Sequence, residues 1–166
     1  GIEQEIKEVE LLNSGIEEKI VLAKEEYESK GKLKTAQGRK AALSLAEMYF
    51  ASTETEAEGL VLAEELITVL RPIAAQETET AGQVAMILGN YYRTKDNFDK
   101  AAPLFLEAAT LLVTQNSEQA EIAMYRAAET FFSNKKTGDA NSTVLKMEEL
   151  FPHSEWTKAG AKFKEP

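Results

Sequence analysis

The 166-residue chain has no cysteine, one histidine (His153), one tryptophan (Trp156) and four prolines. Without cysteine there are no disulfides, thiolate zinc sites or cysteine nucleophiles, and the redox compartment stays open. A single histidine cannot build a multi-histidine metal centre. No apolar run approaches the roughly 18–20 residues of a membrane-spanning helix, so no direct membrane insertion is expected. Basic residues are in the minority. The 19 Lys and Arg against 28 Asp and Glu give a net charge of −9, which disfavours nucleic acid and anionic membrane as partners. No P-loop, dinucleotide fingerprint or Ser/His/Asp arrangement occurs. Neither enzymatic activity nor a cofactor is therefore expected. The chain opens on Gly1 rather than Met, as expected of a cleavage product or a segment of a longer protein.

What is present is a helical pattern. Hydrophobic residues make up 43% and charged residues 28%, enough for a core and unlike a disordered chain. The stretch from Ala85 to Ala108 organises the pattern. Leu88, Gly89 and Tyr92 lie on one face of a helix, and Ala101, Phe105 and Ala108 on one face of the next. Thr94-Lys-Asp-Asn97 is a polar break of helix–helix length, with Asn97 placed to cap the helix from Phe98. Gly89 and Ala101 have almost no side chain, so the two helices can approach closely. Gly in a helix costs about 1 kcal/mol against Ala, and close packing compensates it.

The same spacing recurs on both sides. Ala42, Leu45, Ala46 and Tyr49 precede it; Met124, Ala127, Ala128 and Phe131 follow, with Ala140 and Val144 on the partner helix. Helices are expected over 35–50, 56–70, 77–93, 98–114 and 118–133, then from 138 to the Phe151-Pro152 stop. Thr53 or Thr55, and Ser117, are expected caps. Gly59, Ala63 and Leu66 should face the first of these helices. The small-residue positions Ala46, Gly89 and Ala128 are 43 and 39 residues apart.

This pattern resembles the tetratricopeptide repeat, a helix–turn–helix unit of about 34 residues with a W-x2-L-G-x2-Y, A-x3-F, Pro signature. Ala85 stands in the Trp slot and Val113 in the Pro slot. The resemblance implies an all-α fold: a right-handed α-solenoid of about three hairpins forming one domain over residues 1–166. The hairpins span 35–72, 77–114 and 118–152. A long N-terminal helix over 2–34 precedes them, and a short cap over 153–166 closes the end. Trp156 is expected to plug that end. Ala123–Phe131 with Glu149-Leu-Phe-Pro-His-Ser-Glu-Trp156 is similar to repeats of bacterial envelope proteins of the Tol–Pal coordinator and outer-membrane assembly lipoprotein type, which implies a periplasmic or other extracytoplasmic setting.

Residues 2–30 read as one helix, with Asn13-Ser-Gly15 as an expected bend. Ile2, Ile6, Val9, Asn13, Ile16, Ile20, Ala23 and Tyr27 form a heptad seam with one core Asn. Leu11, Leu12, Val21 and Leu22 widen the apolar face, so packing on the first hairpin is expected before a coiled coil. The acidic run Glu54–Glu58 lacks calcium-loop spacing and suits a helix N-terminus.

By the resemblance, the first helix of each hairpin presents residues to a groove that binds a protein or peptide. Spacing assigns Lys40, Leu43, Glu47 and Phe50 in the first hairpin. It assigns Gln83, Met86, Asn90 and Arg93 in the second, and Ile122, Tyr125, Arg126, Glu129 and Phe132 in the third. Phe50, Met86, Tyr125 and Phe132 are expected to supply area, and Asn90, Arg93 and Arg126 polar fixing. Glu47 and Glu129 are expected to repel an acidic ligand. The function implied is a non-enzymatic adaptor or assembly scaffold. The alternatives are a self-associating module, a homo-oligomer through the heptad face or solenoid ends, and a regulatory domain of a larger protein.

Overall fold

In a computed structural model, residues 1–164 are described, those at 9–14 by their backbone alone. The described chain is helical throughout, with no strand. Eight α-helices run α1 Ile2–Ser29, α2 Ala36–Phe50, α3 Glu56–Leu70, α4 Thr78–Thr94, α5 Phe98–Leu112, α6 Ser117–Ser133, α7 Thr137–Leu150 and α8 Glu155–Gly160. Single 3-10 turns occupy Lys32–Lys34, Arg71–Ile73 and Ala161–Phe163. The sequence pattern treats residues 1–166 as one domain. The contacts gather the chain into two compact units, Gly1–Val69 and Leu70–Pro166.

In the first unit α1 packs on α2. The helix ends in a left-handed turn at Gly31 (φ 99°) and Lys32 (φ 56°). Thr35 then caps α2: its Oγ1 accepts from the Gly38 amide at 2.9 Å and donates to the Lys30 carbonyl. Gly38 sits so close to the Lys32 carbonyl that no Cβ fits. Ala42, Leu45 and Ala46 of α2 are buried, as are Gly59, Ala63 and Leu66 of α3. Gly59 faces α2, because a Cβ there would lie 3.0 Å from Tyr49 Cβ. At the start of α3 the Thr55 hydroxyl donates to the Tyr49 carbonyl at 2.7 Å, and the Thr55 carbonyl accepts from the Gly59 amide at 3.1 Å. Along α1 only part of the expected apolar face is covered. Ala23 is buried, while Ile2, Ile6, Val21 and Leu22 are exposed. Val21 and Leu22 therefore do not widen the packed face. Val9, Leu11, Leu12 and Asn13 lie outside the described side chains.

In the second unit each helix packs on the next: α4 on α5, α5 on α6, α6 on α7, with α8 and the Ala161–Phe163 turn against α6 and α7. α4–α5 and α6–α7 repeat at a 39-residue offset, and α4 and α6 are both 17 residues long. Their turns are the same. Asn97 N–H donates to the Tyr92 carbonyl and Asp96 N–H to Arg93, at 2.9 and 3.0 Å; Lys136 and Lys135 repeat this to Phe131 and Phe132 at 2.9 and 3.1 Å. These are the paired bonds of a Schellman cap. Asp96 and Lys135 take the left-handed position, with φ of 57° and 59°. Asn134 Nδ2 donates to Asp99 Oδ1 at 2.9 Å, tying one turn to the next hairpin.

The core follows the small-residue crossing. Val84, Leu88, Phe105, Leu112, Val144 and Met147 are fully buried, each worth about 2–3 kcal/mol against exposure. Asn97 caps α5, accepting from the Lys100 amide at 3.4 Å. The expected cap at Ser117 falls instead on Asn116, whose Oδ1 accepts from the Gln119 amide at 3.2 Å. Both residue types cap well, and the chain begins its helix one residue sooner.

Candidate protein-binding surface

The residues assigned to a groove divide between the two units. In the first, Lys40 is exposed and Leu43 half-buried. Phe50 is half-buried and in contact distance of Gly59, so its ring is partly spent on α2–α3 packing. Glu47 keeps more than a third of its surface in water, yet partial burial raises its carboxyl pKa.

In the second unit the assigned residues share the α4 and α6 surface. Gln83, Asn90 and Ile122 are half-buried. Met86 and Tyr125 are not open area, being 5% and 7% exposed. α4 is buried on most of its circumference, from Thr80 to Gly89, which takes in Met86 beyond the stripe that spacing assigns. Tyr125 is covered by the C-terminal segment. Trp156 and Phe163 meet its ring edge-on at 5.2 and 5.4 Å, and Phe163 also packs on Phe132 at 5.4 Å. Such ring pairs add about 0.5–1.5 kcal/mol each beyond area. Phe132 remains 40% exposed. Trp156 is half-buried and does seat against the last hairpin.

That closure is anchored by Ser154. Its Oγ accepts from the Trp156 amide at 3.1 Å, capping α8, and donates to Glu121 Oε2 of α6 at 3.0 Å.

The polar part of the surface is a three-residue network. Glu129 Oε1 accepts from Arg93 Nη1 at 3.2 Å and from Arg126 Nη1 at 2.9 Å. All three side chains keep between a quarter and a third of their surface in water. The arginine Nε of Arg93 is buried with no hydrogen-bond partner. Glu129 is thus not a free acid that repels an acidic ligand; two guanidiniums neutralise it. Arg126 also lies over the Tyr125 ring at 5.7 Å, and Lys162 over the same ring at 5.8 Å and over Phe163 at 5.2 Å. Spacing along the hairpins misses Lys162 and Phe163, since they reach this surface only through the final turn.

Away from this surface, α5, α6 and α7 border an open pocket of about 530 Å³, lined chiefly by Leu106, Val113, Phe131, Leu150 and Phe151 with Lys146 at one side. Among the described residues no cluster of His, Asp and Glu is arranged to hold a metal, and no helix is long and apolar enough to cross a membrane. Compared with protein-family models, curated proteins and solved structures, the chain matches none.

Proposed function

We propose that the chain is a non-enzymatic protein–protein interaction module built as a tetratricopeptide-like solenoid, an adaptor or assembly scaffold. Its α4–α6 face takes a peptide or helix of a partner. The observation that carries the reading is the repetition in the second unit. Two hairpins whose helices start 39 residues apart recur with matching Schellman turns and small residues at the crossing (Gly89, Ala128). Repetition of this kind lines up the first helices of successive hairpins as one extended surface. On that surface Asn90, Arg93, Arg126 and Phe132 keep solvent contact. Partly exposed Arg and aromatic side chains are the types that dominate binding energy at protein interfaces. The resemblance of residues 123–156 to repeats of bacterial envelope proteins supports a bacterial, extracytoplasmic setting.

Capture of partners from native lysate tests this. The wild-type chain is compared with an Arg93→Glu, Phe132→Glu variant whose fold is checked by circular dichroism. Loss of a bound protein with the variant is expected. The same set on both chains contradicts the assignment of the face.

A second reading, self-association through α1, is favoured by the exposed Ile2 and Ile6, at 75% and 52%. Its test is solution mass: a dimer that Ile6→Glu converts to monomer supports it, and a wild-type monomer at high concentration contradicts it.

A further inference from the structure

Where Arg93, Arg126 and Lys162 gather on the α4–α6 face, one acid, Glu129, pairs with the arginines, while Glu121 of α6 accepts from Ser154. Three cations, Arg93, Arg126 and Lys162, are joined through one carboxylate, Glu129, and one ring, Tyr125. This occurs in a chain whose net charge is −9. A guanidinium has five N–H donors. Among the described residues Arg93 and Arg126 each give one to a side-chain acceptor, both to the same oxygen of Glu129. Lys162 has only ring faces beneath it and no ion pair among the described residues. The cluster therefore keeps N–H groups of Arg126, Arg93 and Lys162 open to an added acceptor, and the Arg93 Nε is buried without one. Beside it lies the exposed part of Phe132, and Phe163 fills the space behind.

We infer that this patch binds an acidic internal segment of a partner polypeptide. One or two carboxylates would lie on Arg126, Arg93 and Lys162, and a neighbouring apolar side chain on Phe132. The inference rests on the interaction-module reading and names the chemistry of its ligand. Guanidiniums favour carboxylates because the planar fork matches two oxygens. A short segment suits the charge balance better than a long polyanion. Screening at physiological salt acts over about 8 Å. A few carboxylates on the patch feel its cations, while a polyanion extending past it meets the acidic remainder of the chain. No terminal carboxylate is needed, since the donors are spread over three side chains.

The test uses three blocked heptapeptides, N-acetylated and C-amidated: Gly-Glu-Leu-Asp-Phe-Glu-Gly, its amide counterpart with Gln and Asn, and its lysine counterpart. Binding to the full chain is followed by amide chemical shifts and by anisotropy at two salt concentrations. The acidic peptide is expected to bind about tenfold more tightly than the amide peptide, and to weaken with salt. Arg126→Gln and Lys162→Gln should each reduce that binding about fivefold. Lys146→Gln, on α7, should leave it unchanged, and circular dichroism checks the fold of each variant. Equal binding of acidic and amide peptides, unaffected by Arg126→Gln and Lys162→Gln but lost in Phe132→Glu, would overturn the inference and leave the module reading standing. Binding by none of the three overturns it too. A lysate partner lost with the Arg93→Glu, Phe132→Glu chain then shows that the module reading survives.

Discussion

Gly89 of α4 lies against the ring of Phe105 of α5: a Cβ at Gly89 would stand 2.9 Å from Phe105 Cδ1 and Cε1. Phe105 is fully buried and cannot swing away. In the next hairpin the same two positions hold Ala128 and Val144, both fully buried. The larger residue on one helix is matched by the smaller on the other. Gly89→Ala should therefore destabilise the chain by about 1–3 kcal/mol through overpacking, despite the better helix propensity of Ala. Phe105→Val should cost less in that background than in the wild-type chain. A double-mutant cycle by denaturant unfolding reads the coupling, and additive effects would count against the contact.

Asp96 and Lys135 hold left-handed backbone without being glycine. Such a residue pays a steric cost that Gly avoids. Lys135→Gly should stabilise the chain by about 0.5–1 kcal/mol, seen as a higher Tm. A lower Tm would mean that the Lys135 side chain matters more than its φ.

Glu47 carries a pH signature. Burial raises its carboxyl pKa in the folded chain, so the folded state holds the proton more tightly than the unfolded one. The stability it contributes is fully present below the unfolded pKa of about 4.3 and is lost as pH rises through the folded pKa. Glu47→Gln should thus raise stability at pH 7, by about 0.5 kcal/mol or less because the side chain remains well hydrated. The gain should vanish near pH 3.5. Thermal melts at both pH values check this, and a loss at pH 7 would contradict it.

Glu129→Gln removes the anion shared by Arg93 and Arg126 and leaves two cations facing one another. A loss of about 1 kcal/mol is expected, smaller when Arg93→Gln is already present. Equal losses in both backgrounds would mean that Arg93 and Glu129 do not interact in solution.

Much of this architecture is legible in residue spacing. Helix starts and stops follow from Asn97, from the Phe151-Pro152 break, and from the recurring small residues. α3 takes the bounds its pattern predicts, Glu56–Leu70. Other features depend on contacts far apart in the chain. Tyr125 reads as a groove residue until the Ala161–Phe163 turn folds over it. Glu129 reads as a repelling acid until Arg93, 36 residues earlier, reaches it. The left-handed turn at Lys135 carries no glycine to announce it, because the hairpin closure imposes that backbone against local preference.

The most direct test of the proposed binding face places a photo-crosslinking phenylalanine analogue at position 132, and separately at Leu145 of α7, which is 55% exposed. Irradiation in native lysate should yield an adduct with a partner from position 132 and none from position 145. The adduct's mass distinguishes a foreign chain from a second copy. An adduct from 145 alone, or only a chain-to-itself adduct from 132, would contradict a partner-binding face on α4 and α6.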